Sequence, residues 1–162
     1  MIVVADASPL RYLILIEHVD VLHALYGRVI VPPTVIGELT RHQTPNAVKT
    51  WLSNKPAWLD IQAPTQTLAS LRAVLGDGER EAIALAAELS ADALLVDDRD
   101  ARQEANKLGV PVLGTLRILA DASEHGLADL ATAFDRLRQT NFRASEQLLR
   151  QLLARATRRS ET

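Results

Sequence analysis

The sequence predicts an α/β domain in which a parallel sheet is covered by helices. Five short apolar runs, rich in Val, Ile and Leu, recur over the first 113 residues and alternate with stretches of helical pattern. Each run is apolar enough to be buried on both faces, as is typical of strands in a parallel sheet. Alternating strand and helix patterns of this kind indicate parallel strands joined by helical crossovers.

The predicted elements follow in order from these patterns. The strands are Ile2–Ala5, Arg28–Val31, Trp58–Ile61, Ala93–Val96 and Val110–Leu113. Ser8 and Pro9 are a helix cap followed by a proline in the first turn, which predicts a helix as far as Glu17. Pro32 and Pro33 end the second strand and begin the next helix. Further helices are predicted at Asn46–Ser53, Gln66–Leu75, Glu79–Leu89, Asp100–Leu108 and Leu116–His125.

The chain after Leu113 carries helical patterns only, at Ala128–Gln139 and Ser145–Arg158. In the second of these, four leucines at i, i+1, i+4 and i+5 share one helix face, and they are Leu148, Leu149, Leu152 and Leu153. We therefore expect residues 1–120 to form the α/β body. Residues 121–162 are expected to form a helical extension that packs on the same domain.

The composition is that of a globular protein and excludes several classes. Of the 162 residues, 48% are hydrophobic and 23% are charged, which rules out a disordered chain. No apolar run approaches the roughly 20 residues that span a bilayer, and the first residues lack the basic flank of a signal peptide. We expect a cytoplasmic protein with no membrane partner. Because the sequence has no cysteine, disulfides, thiolate metal sites and cysteine nucleophiles are excluded.

The net charge of −2 hides an asymmetry along the chain. Up to Asp135 there are 11 basic and 18 acidic side chains, which gives a net charge of −7. From Arg136 onwards there are 7 basic and 2 acidic side chains, which gives +5. An acidic body argues against nucleic-acid binding through overall charge, but it is compatible with a local basic patch beside an acidic site.

Acidic side chains stand just after the predicted strands. Asp6 follows the first strand, and Asp97 and Asp98 follow the fourth. Glu38 lies one turn into the helix after the second strand, and Glu79 begins a helix after a Gly-Asp-Gly turn. Because ligands of parallel α/β sheets bind outside the carboxyl ends of the strands, we expect these carboxylates to meet at one edge of the sheet.

Converging carboxylates repel one another, which raises their pKa values or destabilises the fold. A hard divalent cation removes that repulsion, and Mg²⁺ and Mn²⁺ prefer oxygen ligands. Such cations polarise phosphoryl oxygens and generate hydroxide from water, so the pattern favours metal-dependent hydrolysis of phosphodiesters. Each acid also has a purely structural interpretation: Asp6 can cap a helix, Glu38 can be an exposed helix residue, and Glu79 can be favoured by the helix dipole.

Other kinds of site are disfavoured. The Gly76–Glu81 segment lacks the third glycine of a dinucleotide-binding loop and follows a helical pattern instead of a strand. The sequence contains no P-loop and no Gly-x-Ser-x-Gly motif, and its four histidines lack metal-ligand spacing. A receiver or phosphatase domain also gathers acids at strand ends. It requires a lysine directly after a late strand or an Asp-x-Asp opening, and this sequence has neither.

Four segments, in order and spacing, resemble the PIN-domain nucleases, a family that includes the toxins of VapBC-type toxin–antitoxin pairs. Asp6–Leu10 resembles the end of the family's opening strand, and Val31–Leu39 resembles its second signature. Leu75–Ala86 is similar to the third signature in a variant where a Gly-Glu pair replaces the usual aspartate. Leu94–Arg102 resembles the fourth signature in a branch with a double acid. The resemblance extends from Ile2 to Arg117, and the helical tail suits the same branch.

The resemblance implies a three-layer α/β/α PIN-like fold with a C-terminal helical extension. It implies a ribonuclease that depends on Mg²⁺ or Mn²⁺. The implied site residues are Asp6, Ser8, Glu38, Glu79, Asp97 and Asp98. All but Ser8 are implied metal ligands, with Asp97 and Asp98 as alternatives for the fourth acid and Glu81 as an alternative to Glu79. Ser8 is implied to orient water or substrate.

The family also implies partners and a biological role. These are an RNA substrate, an antitoxin protein that covers the cleft, and a homodimer. The role is that of the toxin in a type II toxin–antitoxin pair. The alternative is a non-catalytic PIN-like scaffold that binds RNA or a protein without cleaving.

Overall fold

The computed structural model describes residues 1–161, which contain a five-stranded, all-parallel sheet. The strands are β1 (Val3–Ala5), β2 (Val29–Val31), β3 (Leu59–Ile61), β4 (Ala93–Leu95) and β5 (Val112–Leu113). Their order in the sheet is β3-β2-β1-β4-β5. All five predicted strands are present, each one or two residues shorter than the sequence pattern predicts.

The central strand lies at the point where the strand order reverses. β1 pairs with β2 on one side and β4 on the other, with Val4 opposite both Ile30 and Leu94. The chain builds outward from β1 to β3 and then crosses to β4 on the opposite side. In open parallel sheets this reversal leaves a crevice at the carboxyl ends of the two strands. The residues that follow β1 and β4 therefore face a common crevice.

Helices cover both faces of the sheet. They are α1 (Ala7–Leu15), α2 (Val21–Tyr26), α3 (Pro33–Leu39), α4 (Asn46–Ser53), α5 (Asp77–Glu88), α6 (Arg99–Lys107), α7 (Thr115–Glu124), α8 (Leu130–Arg138) and α9 (Glu146–Ser160). Val3 and Ala5 point into a core shared with α1 and α7, whereas Val4 and Leu94 point into a second core shared with α5 and α6. Both faces of the sheet are thus buried, and the three-layer α/β/α prediction is confirmed.

The segment Gln66–Leu75 corrects the sequence prediction, because it is not helical. It forms successive turns, in which the N–H of Leu75 donates to the carbonyl of Arg72 at 3.3 Å. Leu71 and Leu75 are buried in the second core, and the Arg80 guanidinium donates to the carbonyls of Leu71 and Arg72. The apolar residues whose spacing suggested a helix therefore cover the core from an irregular segment. The Arg80 side chain donates hydrogen bonds to two carbonyls of that segment.

A short helix was not predicted from the sequence. α2 has only six residues, of which Val21 and Leu22 are buried. Six residues span less than two turns, so the helical period hardly repeats and leaves little pattern to read.

The last helix, α9, contacts both α7 and α8. Leu149 is buried, and Leu152, Leu153 and Ala156 pack against the first core. Leu148 differs from the other leucines of this face because 42% of its surface is exposed. Within residues 1–161, no helix is both long and apolar enough to cross a membrane.

Candidate active site

Asp6 occupies the carboxyl end of the central strand. Its backbone N–H donates to the carbonyl of Leu95 at 2.9 Å, which continues the β1–β4 pairing by one residue. Only 4% of Asp6 is exposed, and its Oδ1 atom has no hydrogen-bond partner among residues 1–161. The side chain makes no capping hydrogen bond to α1, although Asp6 directly precedes that helix. The interpretation of Asp6 as a helix cap is therefore not supported.

The environment of Asp6 disfavours its charged form. Burial raises its pKa from 3.8 to about 7, an effect that the backbone N–H of Ala7 partly offsets. The charges of Glu79, Glu38 and Asp97 raise the pKa further. The structure thus brings four of the sequence-predicted carboxylates close enough to act on one another, at the edge of the sheet where they were expected.

Glu38 is held by Gly78, a contact that the sequence did not predict. Its Oε1 atom accepts a hydrogen bond from the N–H of Gly78 at 3.0 Å, although the two residues are 40 positions apart. A Cβ atom at Gly78 would lie 2.5 Å from Glu38 Oε2, closer than any real contact allows. Position 78 therefore has to be glycine for the carboxylate of Glu38 to approach this backbone. The signal in the sequence is the glycine directly before Glu79.

Glu79 begins α5 and is half-buried. Its Oε2 atom accepts a hydrogen bond from the N–H of Gly76 at 3.2 Å, which closes the first turn of the helix. Burial raises the pKa of Glu79, and the neighbouring charges of Asp98 and Glu38 act in the same direction. The helix-start interpretation is thus correct, and the same carboxylate also faces the acidic cluster.

Asp97 and Asp98 have different surroundings. Asp97 accepts hydrogen bonds from the N–H and the Oγ1 hydroxyl of Thr115, at 2.8 and 2.7 Å. Burial raises the pKa of Asp97, although Thr115 and the charge of Arg102 oppose the shift. Asp98 is exposed and caps α6 by accepting a hydrogen bond from Ala101 N at 3.0 Å. Asp97 therefore belongs to the group around Asp6, whereas Asp98 has a capping role and faces Glu79.

A cleft of about 780 Å³ opens beside these acids. Ser8 lines it together with Glu79, Asp97 and Asp98, so the hydroxyl lies where the sequence analysis expected it. Glu81 is half-buried two residues after Glu79, and its Oε2 atom has no partner among the described residues. Glu81 is not part of the cleft lining, so the cleft favours Glu79 of these two acids.

The donor set fits a hard divalent cation in its chemistry. All of the converging side chains offer oxygen, and Asp6 Oδ1 is a buried acceptor with no partner among residues 1–161. In the part of the chain that the structure describes, no three His, Asp or Glu side chains are already arranged to hold a metal ion. Glu38, Glu79 and Asp97 are instead held by donors of the protein. Cation binding would therefore require these carboxylates to turn towards Asp6.

Comparisons with known proteins agree with this architecture. A PilT N-terminus domain protein from the hyperthermophilic archaeon Sulfolobus solfataricus has a similar fold, with a TM-score of 0.57 and 22% sequence identity. The match covers 77% of this chain and 96% of that chain. A comparison with curated proteins finds no match. The model of the DUF3368 family, described as a PIN domain, matches residues 2–158. Since that match covers nearly the whole sequence, the chain belongs to the PIN-domain family.

Proposed function

We propose that the protein is a ribonuclease that depends on Mg²⁺ or Mn²⁺ and hydrolyses phosphodiester bonds. The observation that carries the proposal is Asp6, a buried carboxylate with an unpartnered oxygen and a raised pKa among three other acids. The ionised form of such a group is unfavourable for folding, and a bound cation would compensate its charge. The PIN fold is of the nuclease type, which supports the same proposal.

The residues that would hold the cation are Asp6, Glu38, Glu79 and Asp97, with Asp98 as the alternative fourth acid. A bound Mg²⁺ or Mn²⁺ supplies polarisation of a phosphoryl oxygen and lowers the pKa of water. At neutral pH about half of the Asp6 carboxyl is protonated, given its pKa of about 7. Asp6 would have to lose this proton in order to hold a cation.

Two contacts across the fold hold these acids near Asp6. Gly78 holds the carboxylate of Glu38, and Thr115 holds both oxygens of Asp97. These hydrogen bonds keep the two carboxylates beside Asp6, from where they could turn towards a cation. The hydroxyl of Ser8, which lines the same cleft, can donate to a phosphate oxygen or orient a water molecule.

Cleavage of single-stranded RNA tests the proposal. The wild-type protein should cleave a broad panel of RNA sequences with Mn²⁺ or Mg²⁺, and chelation should abolish the reaction. Asp6→Asn should lower the rate by about a hundredfold or more while leaving the protein folded. The matched control is Asp20→Asn, which changes an exposed aspartate outside the cleft and should leave the rate unchanged.

Equal cleavage by the wild type and Asp6→Asn across the panel would remove the nuclease proposal. The non-catalytic scaffold that binds RNA or a protein would then be the better account.

We also propose that the protein is the toxin of a type II toxin–antitoxin pair, covered by an antitoxin and able to form a homodimer. Membership of the PIN-domain family supports this role. The test is the neighbouring open reading frame, which should encode a small DNA-binding protein. That protein, when purified, should inhibit RNA cleavage in a stoichiometric manner, whereas the absence of any such inhibitor would contradict the toxin role.

A further inference from the structure

The cleft beside the acids has a second side of different chemistry. Five of the residues that line it have large aromatic or aliphatic side chains, and they are Tyr12, Leu116, Phe142, Leu148 and Leu152. We call these five residues the apolar wall. Three of them come from the α8–α9 connection and α9, so the C-terminal extension completes a cleft whose other side carries the acids. Coordination of a cation by carboxylates does not explain such a wall.

The apolar wall is preformed and open. Tyr12 and Phe142 meet edge to face, with ring centroids 4.9 Å apart, and the Tyr12 hydroxyl donates to Asn141 Oδ1 at 2.8 Å. Leu148 is one of the exposed large hydrophobic residues, with 42% of its surface accessible. Ligand sites are typically concave, largely apolar and marked by a few polar groups. The cleft volume of about 780 Å³ lies within the usual range for such sites.

Four arginines line the same cleft, which indicates an anionic occupant. Arg117 forms an ion pair with Asp121 at 2.9 Å, and the positive charge of Arg102 favours the ionised form of Asp97 and so opposes the rise in its pKa. The side chains of the other two, Arg99 and Arg143, form no hydrogen bond or ion pair with any residue from 1 to 161. Unpaired guanidinium groups are suited to phosphate oxygens, which they bind in a bidentate manner.

We propose that this cleft is a nucleotide subsite, in which one base of a single-stranded RNA packs on the apolar wall while its phosphates contact Arg99 and Arg143. The inference rests on the nuclease function proposed above, because it places the base beside the acids. A nucleotide offers both an apolar face and an anionic group. A purely apolar protein segment would leave the two arginines unpaired. Bases in a duplex remain stacked and cannot enter, so the subsite selects unpaired RNA.

Leu148→Glu tests the subsite without weakening the fold. Leu148 is the third residue of α9, and its N–H already donates to the cap residue Ser145 at 3.1 Å. Glutamate at this position completes a capping box, which favours the helix. The new charge would nevertheless lie in the cleft and repel RNA. The matched control is Leu127→Glu, because Leu127 is also 42% exposed but lies outside this cleft.

Binding is measured by fluorescence anisotropy in the inactive Asp6→Asn background, with a short labelled oligoribonucleotide. We expect Leu148→Glu to weaken binding by about tenfold or more, and Leu127→Glu to leave the affinity unchanged. A series of oligonucleotides, each lacking one base but retaining every phosphate, separates base packing from charge. Removal of the base at one position should weaken binding about tenfold when Leu148 is present, the usual size of a base-stacking contribution. The same removal should have little effect on the Leu148→Glu variant.

Two results would overturn the subsite. One is equal affinity of Leu148→Glu and Leu127→Glu. The other is unchanged affinity at every abasic position, which would assign the apolar wall to a protein partner. Cleavage by the wild type with Mn²⁺ separates this inference from the proposed function. RNA that binds in a base-dependent manner but is not cleaved would retain the subsite and reject the nuclease. RNA that is cleaved but whose binding does not depend on any base would retain the nuclease and reject the subsite.

Discussion

Asp6 is the residue whose ionisation most opposes the fold. Its pKa of about 7 in the folded protein lies above the ordinary value of 3.8, because the side chain is buried and faces three other acids. Since the folded state binds this proton more tightly than the unfolded state, the free energy of unfolding falls as the pH rises from about 4 to 7. The shift corresponds to at most about 4 kcal/mol of lost stability.

Asp6→Asn should therefore stabilise the metal-free protein at pH 8. Asparagine resembles the protonated aspartate and cannot ionise, so the variant avoids the cost of a buried charge. Thermal denaturation in the presence of a chelator should give a higher melting temperature for Asp6→Asn than for the wild type at pH 8. The difference should vanish near pH 4, where both side chains are neutral. A wild type that is more stable than Asp6→Asn at pH 8 under chelation would contradict the assigned pKa direction.

Gly78→Ala should lower RNA cleavage by about tenfold or more without unfolding the protein. The added Cβ would lie 2.5 Å from Glu38 Oε2, so the carboxylate has to leave its hydrogen bond with the Gly78 N–H. The matched control is Gly37→Ala, where a Cβ meets no atom within 4 Å in the middle of α3. That change should retain activity and stabilise the helix by about 0.5–1 kcal/mol. Equal activity of the two variants, measured as initial rates, would show that the position of Glu38 is unimportant.

At the scale of elements, the start of α7 is tied to the end of β4. Asp97 follows β4 and accepts both the N–H and the hydroxyl of Thr115, the first residue of α7. Thr115 is fully buried, so this pair fixes where the helix begins and where the carboxylate lies. Because the contact joins residues 18 positions apart, neither the composition nor the apolar periodicity of the sequence indicates it.

Thr115→Val should destabilise the protein by about 1–3 kcal/mol in urea denaturation, because a buried charged acceptor loses one donor without a change in shape. The control is Thr132→Val, which removes a similar bond of 2.8 Å to Asp129 at an exposed helix start. That change should cost no more than about 0.5 kcal/mol. Equal losses at the two sites would mean that the Asp97–Thr115 pair has no special structural role.

The elements differ in how well they could be predicted. Four of the five strands were predictable because they are continuous apolar runs, and strands buried on both faces have to be apolar. The exception is β3, which contains Asp60 and ends at the exposed Ile61. The segment Gln66–Leu75 was wrongly predicted as a helix, since its leucines are buried by turns that Arg80 stabilises. These hydrogen bonds from Arg80 are tertiary contacts, so the local apolar periodicity gives no indication of them.

The site could be predicted in part for a related reason. The position of Asp6 and Asp97 after strands was sufficient to expect their convergence, because parallel strands end at one edge. The partners of the acids were not predictable, since Gly78 and Thr115 contact them across the fold. The roles of the six site residues as metal ligands or catalytic groups stay predictions, as does the division of the chain at residue 120.

At the scale of the whole molecule, the basic tail meets the acidic body in two ways. Arg159 pairs with Glu124 of α7, and Arg136 pairs with Glu17. Of the five arginines from Arg143 onwards, only Arg143 itself lines the cleft beside the acids. The charge asymmetry therefore serves packing for part of the tail. The tail also contributes one positively charged side chain, that of Arg143, to the cleft, where arginines from α6 and α7 lie as well.

The melting temperature as a function of Mn²⁺ concentration tests most directly whether the acids form one cation site. A cation that binds only the folded state stabilises it by about 2.7 kcal/mol at a hundred times its dissociation constant, or about 5–10 °C for a chain of this size. We expect that rise for the wild type and for the exposed-site control Asp20→Asn. Asp6→Asn should show little or no rise. Equal shifts in the wild type and Asp6→Asn, or no shift in either at millimolar Mn²⁺, would contradict the account.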